Sequence, residues 1–357
     1  MTERQNLLNL NQSSLNDFFN QLGEKPYRTK QLMKWIYKDH VFDFDQMLNL
    51  SKKLRETLKE IACIEFPTVV SKNHALDGVI KWVIGMGADN NVETVYIPEK
   101  DRGTLCISSQ VGCSLACTFC STGYQGFNRN LSTAEIIAQV LIANLALKPS
   151  GKRISNVVFM GMGEPMLNEE AVYSACDLLL DDLSFGLSRR KVTISSSGVV
   201  PALERMSQRV PVSLAISLHA PTDELRDELV PINKKYSISE LMRACDIYLN
   251  AGTQERHILF EYVMLKGVND SQQHAEQLAK LLKGVSAKVN LIPFNPFPQS
   301  HYQVSSTSTI EKFQNTLFSR GIRTMTRRAR GEDVDAACGQ LAGKVKDKTK
   351  RTHARRN

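Results

Sequence analysis

Residues 104–120 read TLCISSQVGCSLACTFC, a short apolar strand pattern that runs straight into three cysteines spaced C-x3-C-x2-C. Gly112 closes the strand run, so Cys113, Cys117 and Cys120 fall on the loop that follows it. Further apolar runs lie downstream: NVVFMG (156–161), KVTISS (191–196), VSLAISL (212–218), HILFEYVM (257–264), KVNLIPF (288–294) and IRTMTR (322–327). Amphipathic stretches of helical period separate them, such as TAEIIAQVLIANLAL (133–147), ISELMRACDIYLNAG (238–252) and SQQHAEQLAKLLKG (271–284). Strand, helix, strand repeated about six times predicts an α/β fold with a parallel sheet, a partial (β/α)6-type barrel. In such a barrel chemistry gathers at the C-terminal ends of the strands, which is where the cysteine loop falls.

The chain has 357 residues, 42% of them hydrophobic and 23% charged, as a globular protein with a buried core requires. No run of about 18 apolar residues is present, so no membrane span is expected. With no export signal at the N-terminus, the chain is expected in the cytoplasm, where clustered cysteines serve metal or redox chemistry rather than structural disulfides. The net charge of +8 is uneven. Residues 320–357 carry twelve Lys and Arg against four Asp and Glu, which accounts for all of it. The basic end, GKVKDKTKRTHARRN (343–357), reads either as a solvated tail or as an arm that neutralises nucleic-acid phosphates.

Four regions are expected. Residues 1–62 read as a small helical domain, in which Lys30, Lys34 and Lys38 share one face; a solvated face is the plain reading and RNA contact the sharper one. Residues 63–98 form a β-hairpin extension, with GVIKWVIGM and NVETVYIP on either side of GADNN. Residues 99–337 form the barrel, and residues 338–357 a cysteine-bearing loop and the basic tail.

Structural zinc sites use four ligands in two separated pairs, and no second pair follows Cys120. Three thiolates in one short loop instead suit a [4Fe–4S] cluster with one iron left open for a small molecule. This spacing, with Phe119 before the last cysteine, is that of the radical S-adenosylmethionine enzymes. Other strand-end loops supply candidate ligand contacts: Gly163 and Glu164 in GMGEPMLN, Ser195 in SSSG, Ser217, Leu218 and His219 in SLHAP, and Asn295 in IPFNP. Each alone reads as a satisfied polar group or a cap; their shared placement singles them out. Cys106 reads as a buried small hydrophobe and Cys338 as a loop thiol, while Cys63, Cys176 and Cys245 read as core residues.

Taken together, QVGCSLACTFCSTGYQGFNRNL, GMGEPMLN, SSSGVVP, SLHAP, LIPFNP and RRARGEDVDAACGQL closely resemble the RlmN family of RNA (adenine-C2)-methyltransferases, and more distantly the C8-methylating Cfr group. The resemblance implies a radical S-adenosylmethionine barrel with an N-terminal domain that helps bind RNA. It implies a [4Fe–4S] cluster on Cys113, Cys117 and Cys120, and two S-adenosylmethionine molecules per turnover. Cys338 is then methylated first, and a deoxyadenosyl radical takes hydrogen from that methyl group. The resulting carbon radical joins C2 of an adenine, Glu93 removes the C2 proton, and Cys106 attacks Cys338 to release product with a transient disulfide. Read from the residues alone, Glu93 is a solvent-facing strand carboxylate.

The substrates implied are 23S rRNA and, in dual-specificity members, tRNA beside the anticodon. The expected partners otherwise are an electron donor such as flavodoxin or ferredoxin and no membrane, with the chain acting as a monomer. The competing readings are C8 methylation of the same adenine and a non-catalytic iron–sulfur protein that binds RNA.

Overall fold

The structure is a computed structural model that describes residues 4–251 and 257–349. Ten strands form one sheet: β1 (Val69–His74), β2 (Ile80–Gly85), β3 (Asn91–Pro98), β4 (Gly103–Cys106), β5 (Asn156–Phe159), β6 (Val192–Ser196), β7 (Ser213–Ser217), β8 (Ile258–Met264), β9 (Ala287–Pro293) and β10 (Arg323–Thr326). They lie side by side in chain order, with β1 and β10 at the two edges, so the sheet is not closed. From β4 to β10 every pairing is parallel, as the strand–helix repeat requires. From β1 to β4 every pairing is antiparallel. The hairpin expected at residues 63–98 is thus an extension of the barrel sheet itself, joined through the register Val95↔Cys106.

The helices on the sheet start where their caps dictate. Ser132 with Glu135 and Ser237 with Glu240 form capping boxes at helices Thr133–Leu147 and Ile238–Asn250. The first of these is buried along most of its length, because the N-terminal region covers the face that the sheet does not. Asn9 Oδ1 accepts from the Ala134 amide there at 2.8 Å. Helices Gln12–Gln21, Tyr27–Lys34 and Lys52–Ile61 contribute Phe19, Leu32 and Leu58 to the same apolar core as Val157, Ile194 and Leu214. Gln5–Asn6 pairs in parallel with Ala62–Cys63 and draws the two ends of this helical region together. Lys30, Lys34 and Lys38 are all exposed, so that face is solvated. Cys63, Cys176 and Cys245 are buried as expected.

The basic end departs from a free tail. The Asn91 amide donates to Lys344 O at 2.7 Å, Lys348 N to Phe127 O at 2.9 Å, and the Asp347 carboxylate accepts from Phe127 N at 3.0 Å. Residues 344–349 are therefore laid against the β2–β3 turn and the short strand Phe127–Asn130. Residues 350–357, which hold the rest of the predicted arm, lie outside the described residues. Among the described residues no helix is long and apolar enough to cross a membrane.

Candidate active site

The cysteine loop is clamped at its base. Gln110–Gly112 pairs antiparallel with Phe127–Asn130, and the Cys113 amide donates to Gly126 O at 2.8 Å. Within the loop, the Leu115 amide points at Cys113 Sγ at 3.4 Å and the Cys120 amide at Cys117 O at 3.4 Å. All three sulfurs' residues line one cavity of about 140 Å³. Burial pushes the Cys113 thiol well above its ordinary range, and Cys117 and Cys120 push it further, so the three groups face one another. Burial also carries Cys117 up to about 12, with Cys120 adding to it and Arg226 opposing it.

Three thiolates so placed are stable only against positive charge, and this is the donor set of an iron–sulfur cluster. Among the described residues no three His, Cys, Asp or Glu side chains converge closely enough for a single metal ion. Three thiols in one loop with no second ligand pair suit a cluster that leaves one iron open better than a four-ligand zinc site.

The other strand-end residues converge on the same cavity, which Gly163, Glu164, Ser195, Ser217, His219 and Asn295 also line. Gly163 has φ 102°, and a Cβ there would come within 2.5 Å of the Gln110 side chain, so the loop needs glycine against its own neighbour. Gln110 Oε1 accepts from Glu164 N at 3.0 Å and Ser114 N at 3.2 Å, which ties this loop to the cysteine loop. Glu164 is 2% exposed, with Oε1 accepting from Met166 N at 3.0 Å and Oε2 from Ser197 N at 2.7 Å. Burial raises its carboxyl and these amides oppose the rise. The Ser196 and Ser197 side chains also hydrogen-bond to it, so the carboxylate is held in a fixed orientation at the cavity wall.

His219 sits at φ 61° with its ring edge-on to Phe119 at 4.5 Å. Its Nδ1 accepts from the Val263 amide at 3.0 Å, and burial, with Arg226 adding, holds its pKa down at about 3. The ring is therefore neutral with its proton on Nε2, a donor. Leu218 is fully buried and does not line the cavity; its carbonyl accepts from Arg226 Nε at 3.1 Å. Asn295 Nδ2 donates to Cys338 O at 2.9 Å and fixes the cysteine-bearing loop over the site.

A second cavity of about 490 Å³ adjoins the first. Cys338 and Asn295 line both, and Cys106 lines the larger. Burial lifts the Cys106 thiol to about 12, with Cys338 adding to it. Both residues are reduced thiols. Arg102, Arg327, Arg328 and Arg330 line the larger cavity together with Glu99 and Glu261, Arg102 being paired to Glu99 and Arg330 to Asp77.

Glu93 lines neither cavity. It shares a face of β3 with Val95 and Ile97, which line the larger one. It is 5% exposed, paired to Lys81 Nζ at 3.2 Å, with Oε2 accepting from the Ala342 amide at 3.0 Å. The solvent-facing reading is overturned, because residues 341–346 cover the strand.

Sequence reasoning passed over Arg226, Glu261 and Arg327. Arg226 is fully buried and donates to Leu218 O, Ser197 O, Ser217 O and Asn233 Oδ1, holding two strand-end loops at once. The available signal was an arginine on the apolar side of DELRDEL, where only a fully bonded one is tolerated. Glu261 lines both cavities, and Arg327 lines the larger one.

Residues 5–64 match the family model for the ribosomal RNA large subunit methyltransferase N-terminal domain, and residues 107–282 the radical SAM superfamily. Over 354 residues, 99% of each chain, the sequence is 73% identical to the dual-specificity RNA methyltransferase RlmN of Vesicomyosocius okutanii subsp. Calyptogena okutanii (strain HA). It is 72% identical, over the same share, to that of Ruthia magnifica subsp. Calyptogena magnifica. The crystal structure of a radical SAM methyltransferase from Sphaerobacter thermophilus superposes with a TM-score of 0.88 at 40% identity, covering 94% of this chain and 99% of that one.

Proposed function

We propose, for a chain that belongs to the RlmN family of radical SAM RNA methyltransferases, that the acceptor is C2 of an unpaired adenine in 23S rRNA and in tRNA. The residues present fit the family's iron–sulfur cluster and S-adenosylmethionine: Cys113, Cys117 and Cys120 would hold the cluster. Gly163, Glu164, Ser195, Ser217, His219 and Asn295 would hold S-adenosylmethionine, two molecules per turnover, with Leu218 packed behind them. Bound there, the two supply a carbon-centred radical able to take hydrogen from a methyl group.

The chain's own residues do the rest. C2 of adenine is not nucleophilic, so the methyl carbon must first be parked on a side chain, and Cys338, which borders both cavities, is that carrier. The adenine enters the larger cavity, whose arginines suit the flanking phosphates. Glu93 accepts the C2 proton once the base is joined to Cys338. The Cys106 thiolate then attacks Cys338 Sγ; the S–S bond forms as the bond from sulfur to the base-borne carbon breaks, that carbon takes up a proton to become the methyl group, and the one electron left over would return to the cluster. A ferredoxin or flavodoxin serves as electron donor, and residues 1–62 as an RNA-binding region.

What supports this reading most is that Cys106 and Cys338, remote in sequence, line one cavity beside the cysteine loop. A C8-methylating activity and a non-catalytic iron–sulfur protein are less well matched by the relatives. Mass spectrometry of rRNA and tRNA nucleosides from a strain lacking the gene tests the proposal: 2-methyladenosine should vanish from both. Its persistence in both, or loss of an 8-methyl product instead, would overturn the proposal.

A further inference from the structure

A fully buried cation stands behind the smaller cavity. Arg226, on the helix Asp223–Leu229, gives Nη2 to Ser197 O at 2.7 Å and to Ser217 O at 3.2 Å. Its Nε goes to Leu218 O at 3.1 Å and its Nη1 to Asn233 Oδ1 at 2.8 Å. Ser197 and Ser217 line the cavity. All four partners are neutral, and none of the ion pairs among the described residues includes Arg226. The carboxylates of Asp223 and Asp227 meet it through the Asn233 amide, whose Nδ2 donates to each at 2.8 Å.

The same helix abuts the cysteine loop. The Thr118 amide donates to Leu229 O at 3.1 Å, and Leu225 and Leu229 pack with Cys117 and Phe119 in one apolar cluster. Ser197, whose carbonyl takes Arg226 Nη2, also hydrogen-bonds Cys117 through its side chain. One residue therefore lies between the guanidinium and a thiol of the cysteine loop. Burying a charge without an ion partner is costly, and a neutral amide would serve these carbonyls without that cost. The charge itself calls for an anion, and the cysteine loop is where one would sit.

We infer that Arg226 is the buried counter-charge of the iron–sulfur cluster and raises its reduction potential. This rests on Cys113, Cys117 and Cys120 holding that cluster. The step is the transfer of one electron from the ferredoxin or flavodoxin; no bond forms or breaks and no proton moves. The reduced site is more negative by one charge. A fixed cation in a water-poor setting therefore stabilises it more than the oxidised site. Glu164, in the wall of the same cavity, acts with the opposite sign, and Arg226 offsets it.

The test is the midpoint potential of the reconstituted cluster in full-length protein, read by EPR during a reductive titration without S-adenosylmethionine. Arg226→Gln keeps an amide donor and loses the charge. It should shift the reduction equilibrium about tenfold against the reduced form, a fall of about 59 mV for one electron. Arg226→Lys keeps the charge and loses the forked bonds, so its potential should stay near the parent's. Asp227→Asn keeps an Oδ1 acceptor for Asn233 and removes a negative charge, and should move the potential upward. Iron content and S-adenosylmethionine affinity are read alongside. Equal falls in Arg226→Gln and Arg226→Lys would make the residue a strut of the strand-end loops and overturn the inference, as would an unchanged potential in Arg226→Gln. Should Arg226→Gln lose its iron, the other two variants decide: a fall in Arg226→Lys, or no rise in Asp227→Asn, overturns it. Failure of the cluster reading is seen separately and first, as a parent protein that takes up no iron, and it would remove this inference as well.

Discussion

The carboxylate of Glu93 and the amide of Ala342 meet in a 3.0 Å hydrogen bond although 249 positions separate them. Lys81 completes the arrangement from the neighbouring strand, at 3.2 Å. The segment that carries Cys338 is thereby latched onto the strand that carries the proposed base. The proposed proton acceptor and the proposed methyl carrier, far apart in sequence, are tied together by this contact.

Glu93→Gln should therefore have two separable effects. Breaking a buried ion pair on one side costs about 3–5 kcal/mol, so the melting temperature should fall. With no base, RNA joined to Cys338 should accumulate rather than be released. The paired change Lys81→Met with Glu93→Leu should recover stability without product, since it leaves no buried charge alone. Activity returning with stability would make Glu93 a structural residue.

Cysteine replacements should part into two sets. Cys113→Ala, Cys117→Ala or Cys120→Ala should each lose the cluster, where the parent protein reconstituted anaerobically holds about four irons. Stoichiometric zinc in place of iron would contradict the donor-set argument.

Cys106→Ala and Cys338→Ala, in contrast, should keep iron and fail in opposite ways. Cys338→Ala should form no RNA adduct at all. Cys106→Ala should form the bond and stall, so protein from cells should carry nuclease-sensitive RNA and excess absorbance near 260 nm. The mirror-image result would exchange the two roles.

The strands, the parallel sheet and the cysteine loop were legible because each is a local pattern: apolar runs of strand length, helical stretches between them, and thiols at fixed spacing. What covers a strand is not local. Glu93 reads as exposed until residues 341–346 are laid over β3, and nothing near it in sequence announces that cover. Arg327 and Glu261 were missed for a related reason. Glu261 sits inside the apolar run HILFEYVM and Arg327 at the end of IRTMTR, and only the β8–β9–β10 register brings them to one wall. The tail was half legible: its charge is plain, yet its first residues are tied down by hydrogen bonds to a turn and a strand more than 200 positions away.

The tail divides accordingly. Truncation after Thr349 removes Lys350, Arg351, Arg355 and Arg356 and none of the contacts to Asn91 and Phe127. It should leave melting and iron content unchanged and flatten the salt dependence of RNA binding, by about 0.7–0.9 in log–log slope per cation that meets a phosphate. Truncation after Gly343 should also lower stability, because it strips partners from Asn91 N and Phe127 N. An unchanged salt slope after the shorter truncation would return residues 350–357 to a solvated tail.

His219 predicts a pH dependence with a definite sign. Its pKa is about 3 in the fold against 6.5 for the ordinary imidazole, so the folded state favours the neutral ring. A depressed folded value means that the unfolded chain takes up the proton first as pH falls. The stabilisation is complete above the unfolded value and is lost on descent from 6.5 toward 3, at up to about 1.4 kcal/mol per pH unit. His219→Asn keeps an acceptor for the Val263 amide and tolerates the positive φ, but cannot titrate. Glu164 and Glu261, raised by burial, act with the opposite sign, yet they are common to both proteins and cancel in the difference. Unfolding free energies from urea titrations at neutral pH and about one unit below the imidazole value should fall less for His219→Asn than for the parent protein. Equal losses would mean that the ring is already protonated in the fold, and that Nδ1 does not accept from Val263.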